Sequence, residues 1–212
     1  MMTPAYTDFT GLAGIVVALA AAPLAIPGAR RMRRSRLAAL LATVAVLVLI
    51  PFNPLSVAAC VRGGSGDLSI TTLILLGSAI LRALTGWATA DRDARFGLLA
   101  FISVAALALY PLALGLGMFD PYRLGYGALA LVGALSAVAL AAWYGRRHLI
   151  AICLALAMLA WTVRWYESTN LWDYLLDPLV SFYALGCVVG RGVRRLANYR
   201  RGTTPAGSAR QP

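Results

Sequence analysis

The sequence predicts an all-α fold, a polytopic integral membrane bundle of about seven transmembrane helices. Only 13% of the 212 residues are charged and 60% are hydrophobic, with a mean hydropathy of +0.76. A soluble domain carries about a quarter charged residues. Apolar stretches also recur along the whole chain, each close to the ~20 residues that a helix needs to cross the ~30 Å hydrocarbon core. Both observations indicate a chain that is buried in lipid along most of its length.

Seven predicted spans follow from these stretches, because each is apolar around its whole circumference, as lipid requires. They cover residues 10–28, 37–54, 68–86, 97–117, 124–144, 148–164 and 174–190. Pro23 and Pro27 interrupt the first span, so six spans remain if it does not cross fully. The sixth is short unless Arg164 snorkels to the interface. We predict a single bundle domain over residues 1–201 and a disordered cytoplasmic tail over 202–212.

The arginines predict the orientation of the bundle. Sixteen of the nineteen lie at every second boundary between spans, and only Arg62, Arg123 and Arg164 lie at the others. The clusters are Arg30–Arg36, then Arg82, Arg92 and Arg95, then Arg146 and Arg147, and finally Arg191–Arg210. By the positive-inside rule these boundaries are cytoplasmic. The predicted location is therefore a bacterial inner membrane, with the N-terminus outside and the C-terminus inside.

The first span lacks the basic flank of a cleaved signal peptide, so we expect it to be retained.

Most acidic residues fall on the opposite side, and three of them precede a span that descends to the cytoplasm. These three are Asp67, Asp120 and Asp177, and the last two are followed by Pro121 and Pro178. Aspartate at the N-cap with proline at the first helical position is a common helix start, and it contributes about 1 kcal/mol. The three residues are therefore predicted to be helix caps.

The net charge of +11 and the isoelectric point near 10.4 are explained by insertion and orientation, so we expect no nucleic-acid partner. Anionic lipids are the expected partners of the cytoplasmic arginine clusters. The three cysteines and the single His148 show no metal-ligand spacing, so neither a metal nor another cofactor is expected.

One outer loop is unusually rich in aromatic residues. Between Trp161 and Tyr174 it carries three tryptophans, including Trp165 and Trp172, and the carboxylates Glu167 and Asp173. An interfacial aromatic belt explains the rings. The alternative is a site for a sugar or lipid-linked ligand, in which the two carboxylates act as general acid and base.

Three outer arginines are candidates for binding a phosphate, namely Arg62, Arg123 and Arg164. They either bind a lipid phosphate or pair with Glu167 and Asp173, and pairing is the commoner outcome. The glycine-rich segment from Arg62 to Asp67 is predicted to be a flexible turn, with an anion-binding loop as the alternative.

Two small-residue patterns predict close helix packing. Gly186 and Gly190 form a GxxxG pair, and Gly133 begins a second ridge. Internal packing is the expected use, and dimerisation is the alternative.

Three functions remain open from the sequence. The first is a non-catalytic accessory or anchoring subunit of a cell-envelope pathway, possessing a larger membrane-protein partner. The second is a small transporter or lipid flippase, although the spans lack the mid-membrane charges typical of ion-coupled carriers. The third is an outer-leaflet enzyme that acts on a lipid-linked or sugar substrate.

Overall fold

A computed structural model describes residues 6–87, 92–127 and 129–202. Within these ranges the protein is all-α apart from one very short hairpin. The helices are α1 Tyr6–Ala21, α2 Arg34–Leu47, α3 Val57–Ser65, α4 Ile70–Thr85, α5 Arg92–Ala113, α6 Leu129–Tyr144, α7 His148–Thr162, α8 Leu171–Leu175 and α9 Pro178–Gly202. The antiparallel strands β1 Pro51–Asn53 and β2 Leu55–Ser56 form the hairpin. The all-α prediction is confirmed. The predicted tail beyond Gly202 lies outside the described residues.

The helix ends of the bundle gather at two opposite ends. At the first, which we call the acidic end, Tyr6 donates a hydrogen bond to the carbonyl of Arg164, and Ser69 donates one to Asp177. At the second, the arginine end, the guanidinium of Arg34 lies against Gly86. Contacts between their ends show that seven of the described helices, α1, α2, α4, α5, α6, α7 and α9, run alternately between these ends. Residues that the sequence places on one side of a membrane therefore lie at one end of the molecule.

Two of the described helical segments are long and apolar enough to cross a membrane, Tyr6–Ala25 and Arg92–Ala113. The first joins α1 to a 3-10 turn. The apolar helices α4, α6 and α7 have only 15 or 16 residues, which corresponds to about 24 Å at ~1.5 Å per residue. The structure therefore supports two candidate spans by length and composition, whereas the sequence predicts seven.

Prolines explain why two of the predicted spans have the wrong limits. The second predicted span continues to residue 54, but α2 ends at Leu47 and the chain enters the hairpin at Pro51. Proline lacks an amide and drives the preceding residue toward extended backbone. The last predicted span is likewise divided before Pro178 into α8 and α9.

The glycine-rich segment is also not the flexible turn that the sequence predicts. Arg62 to Ser65 form the last turn of α3, which begins at the N-cap Ser56 and ends at Gly66 with φ +74°. Local hydrogen bonds at both ends make this segment helical. Its packing against α1 brings Arg62 to the acidic end.

The predicted caps have three different outcomes. Asp177 accepts a hydrogen bond from the amide of Val180 at 2.8 Å and caps α9, as predicted. Asp120 is a cap, but of the 3-10 turn Pro121–Gly125 and not of α6. Asp67 is not a cap, because Ser69 occupies that position of α4 and accepts from the amide of Thr72.

The largest core cluster in the described residues is formed by buried side chains between Leu98 and Ala184, where α5, α7 and α9 meet around Ile102 and Leu154. The prediction of internal packing for the small-residue patterns is wrong. A Cβ atom at Gly133 or Gly186 would meet no atom within 4 Å, and one at Gly190 would approach only Arg194 of the same helix. The GxxxG face of α9 is therefore open.

Candidate functional site

Arg62 is the centre of an ion-pair cluster at the acidic end. Its Nε lies 2.7 Å from Asp67 Oδ1, its Nη1 lies 3.1 Å from Asp8 Oδ1, and its Nη2 lies 3.5 Å from Glu167 Oε1. The hydrogen bond to Asp67 raises the pKa of Arg62 above its ordinary value, assisted by Asp8 and opposed by burial. One guanidinium thus joins α1, α3, the start of α4 and the 163–170 loop.

A glycine of α1 makes this cluster possible. A Cβ atom at Gly11 would collide with the carboxylate of Asp67 and the guanidinium of Arg62. Because glycine has no side chain, the salt bridge between Arg62 and Asp67 can lie this close to the α1 backbone.

An open cavity of about 580 Å³ borders the cluster, and its wall includes Arg62 and all three of its carboxylate partners. The carboxylates outnumber the guanidinium by two. Such a field disfavours a phosphate or another anion. The geometry therefore supports the pairing interpretation of Arg62 over the phosphate-binding one.

The two candidate catalytic carboxylates have separate partners. Glu167 is 61% exposed and faces Arg62, whereas Asp173 accepts hydrogen bonds from Tyr122, at 2.8 Å, and from Ser168. Burial, followed by the bond to Asp173, raises the pKa of Tyr122 above its ordinary value. The phenol therefore remains protonated at neutral pH and donates. Asp173 holds the aromatic loop against the Pro121–Gly125 turn, whereas Glu167 belongs to the Arg62 cluster.

The two candidate tryptophans also differ in their surroundings. Trp172 donates from Nε1 to the carbonyl of Pro121 at 3.0 Å and packs against the core. Trp165 is 44% exposed, and its backbone carbonyl accepts a hydrogen bond from Thr10. Trp172 therefore has a structural contact, while the ring of Trp165 is available at the surface.

Arg123 and Arg164 are exposed and form no ion pair with any carboxylate in the described ranges. Arg164 adopts a left-handed backbone conformation, with φ +52°. It borders a cavity of about 400 Å³ together with Trp161, Tyr126 and several loop residues. This aromatic cavity is the arrangement at the acidic end that most resembles the sugar or lipid-phosphate site considered from the sequence.

Two buried polar residues of this region are not among the site residues that the sequence predicts. Asn170 is fully buried, accepts from the amide of Trp172 at 2.9 Å and donates to the carbonyl of Tyr122 at 3.0 Å. Tyr174, also fully buried, donates its hydroxyl to the 166–168 backbone and accepts from the amide of Tyr166. An asparagine immediately before a short helical stretch is a capping pattern that would have identified Asn170.

Asp177 joins the N-termini of two helices. Its Oδ1 caps α9, and its Oδ2 accepts from the amide of Ser69 at 2.9 Å, from the Ser69 hydroxyl at 2.8 Å and from Thr72. The sequence offers an anion-binding loop before α4 as the alternative to a flexible turn. The anion found there is a carboxylate of the protein itself.

Comparisons with protein-family models, curated proteins and solved structures found no match to this chain. Over the residues that the structure describes, the protein is all-α, and two of its helical segments are long and apolar enough to cross a membrane.

Proposed function

We propose that this chain is a non-catalytic integral membrane protein, an accessory or anchoring subunit of a cell-envelope pathway in the bacterial inner membrane. One observation carries the proposal. Every carboxylate in the described ranges already bonds to an arginine, a hydroxyl or a backbone amide. A general acid or base exchanges a proton with its substrate, and a carboxylate held by such partners is less free to do so. Most of these carboxylates instead connect helices and loops, and Glu167, although exposed, lies 3.5 Å from Arg62.

The proposed topology has seven spans, with the acidic end outside and the arginine end in the cytoplasm. The alternation of seven helices between the two ends supports it. The outward surface of the helix mid-regions is also apolar, as Val104 and Leu107 of α5 are 69% and 59% exposed. Water would not favour such a surface, whereas lipid tails would. The shorter helices would be accommodated by local thinning of the bilayer and by snorkelling of flanking arginines.

The open GxxxG face of α9 supports a protein partner. Gly186 and Gly190 present a surface without side chains, on which a second transmembrane helix is able to pack closely. Leucines at both positions would prevent that approach. Gly192 is equally open, but it lies on a different face of the helix, since it is two residues beyond Gly190.

Complementation of a deletion strain tests the proposal against the enzyme alternative. We expect the double variant Glu167→Gln, Asp173→Asn to restore the wild-type envelope phenotype. We expect the double variant Gly186→Leu, Gly190→Leu to fail, and Gly192→Leu to complement. Membrane levels of each variant are compared by immunoblot, so that a folding failure is recognised. If the amide variant fails at normal levels while the glycine variant complements, the protein is an enzyme and not an accessory subunit.

A small transporter or lipid flippase remains the second candidate, because an apolar cavity of about 400 Å³ lies between α1, α4, α5 and α9. Reconstituted protein that moves a labelled lipid between leaflets faster than empty vesicles do would favour this function.

A further inference from the structure

The cavity between α1, α4, α5 and α9, which we call the lateral cavity, is a mostly apolar space bordered by the proposed spans. Its wall extends from Leu68, just before α4, to Ala79 of α4, and on α9 from Leu179 to Tyr183. Leu68 to Ala79 are twelve residues, and eleven steps of ~1.5 Å correspond to about 16 Å. Its length therefore covers about half of the hydrocarbon thickness, which is one leaflet.

Small side chains create this space. The α1 side of the wall is formed mainly by Ala18, Ala21, Ala22 and Ala25, with Leu24 the exception. Within the described residues, α1 packs mainly on α2, α3 and α4, while α5 packs mainly on α9. The volume of about 400 Å³ falls in the range of ordinary ligand sites, which are mostly apolar with few polar groups.

One arginine borders the lateral cavity. Arg95 is half-buried near the start of α5, and its guanidinium lies 3.5 Å from the hydroxyl of Ser78. No carboxylate of the described ranges forms an ion pair with it. A partly desolvated guanidinium beside apolar surface is unfavourable without an anion, and phosphate is the anion that its geometry fits best.

We propose that the lateral cavity binds one anionic glycerophospholipid, with an acyl chain between α1 and α9 and the phosphodiester on Arg95. This inference rests on the proposed membrane location. It differs from a general attraction of lipids to the exposed arginine clusters, because it places one lipid in one site. The ligand supplies a negative charge to Arg95, which has no ion-pair partner among the described residues, and its chain fills the space that the alanines leave.

Native mass spectrometry of the full-length protein in mild detergent tests the site, with dioleoyl-phosphatidylglycerol and dioleoyl-phosphatidylcholine as probes. We expect one phosphatidylglycerol per chain, retained at least about tenfold more strongly than phosphatidylcholine. Arg95→Gln should reduce this retention about tenfold. Arg92→Gln removes the same charge from an exposed residue one turn away and should change retention less than about twofold.

A second pair of variants tests the position of the acyl chain. The double variant Ala22→Leu, Ala25→Leu places two larger side chains at exposed positions of the cavity wall. It should abolish retention of phosphatidylglycerol. Ala39→Leu, on the exposed face of α2, is the matched control. Circular dichroism and size-exclusion chromatography establish that each variant is folded.

The proposal would be overturned by equal retention of the two lipids. It would also be overturned if the Ala22→Leu, Ala25→Leu variant retained phosphatidylglycerol fully. The membrane location is measured separately by alkaline carbonate extraction. A chain that resists extraction but binds no lipid contradicts the lipid site alone, whereas a chain that is extracted contradicts the proposed function as well.

Discussion

At the acidic end of the bundle the described carboxylates are bonded to an arginine, a hydroxyl or a backbone amide, whereas at the arginine end most guanidinium groups are exposed. Arg62 alone contacts three carboxylates, and Asp177 accepts hydrogen bonds from two helix starts. The described part of the arginine end has one ion pair, between Arg191 and Asp93, whose aspartate is 82% exposed. The two ends differ because the carboxylates are bonded within the chain at one of them, whereas positive charge is in large excess at the other.

This difference indicates what each end is able to do. Paired charges satisfy one another and fix the positions of loops and helix ends. An excess of one sign cannot be paired within the chain, so its counter-charges must come from outside, and anionic lipid headgroups are the counter-charges that we propose. We infer that the acidic end is mainly structural and that the arginine end contacts the membrane surface.

The largest expected effect is an all-or-none difference in labelling between the two ends. Cys60 is free and exposed near the acidic end, and we expect a bulky impermeant maleimide to label it in intact cells. In a Cys60→Ser background, a thiol introduced as Ser35→Cys at the exposed arginine end should label only after permeabilisation. Labelling in the reverse order would contradict the proposed orientation.

The next effect is on stability, and it separates a buried carboxylate from an exposed one. Asp177 is 4% exposed and bonds two helices. Because charged hydrogen bonds and a helix cap are lost together, Asp177→Ala should lower the free energy of unfolding by about 3 kcal/mol. Asp93→Ala should cost less than about 0.5 kcal/mol. Unfolding in detergent, followed by circular dichroism, provides both values, and similar costs would remove the distinction between the ends.

The smallest effect distinguishes two buried tyrosines within the acidic end. Tyr174→Phe loses hydrogen bonds to the 166–168 backbone and should destabilise the protein by about 1–2 kcal/mol. The hydroxyl of Tyr166 is buried without a hydrogen-bond partner in the described part of the chain. Tyr166→Phe should therefore be neutral, or stabilising by up to about 1 kcal/mol. The same unfolding measurement checks the pair, and a large loss for Tyr166→Phe would reveal a partner for its hydroxyl.

The candidate site could be predicted only in part from the sequence. The sequence identified Arg62, Glu167 and Asp173 as polar residues of one side, but it did not indicate that Arg62 pairs with Glu167 while Asp173 bonds to Tyr122. It also missed Asn170, because a buried amide between two loops is specified by contacts that are distant in the chain. The helix limits were wrong mainly beside prolines, where a long apolar stretch conceals a break.

By itself the sequence determined the helical class, the approximate position of each long helix and the capping of α9 by Asp177, since hydropathy and capping act over a few residues. The tertiary structure decided which residues meet across the chain. Asp8 lies 54 positions from Arg62, and Ser69 lies 108 positions from Asp177. Such pairs depend on which helix faces pack together. That choice is made by side-chain shape, as at Gly11 against the Arg62 cluster, and a local pattern does not encode it.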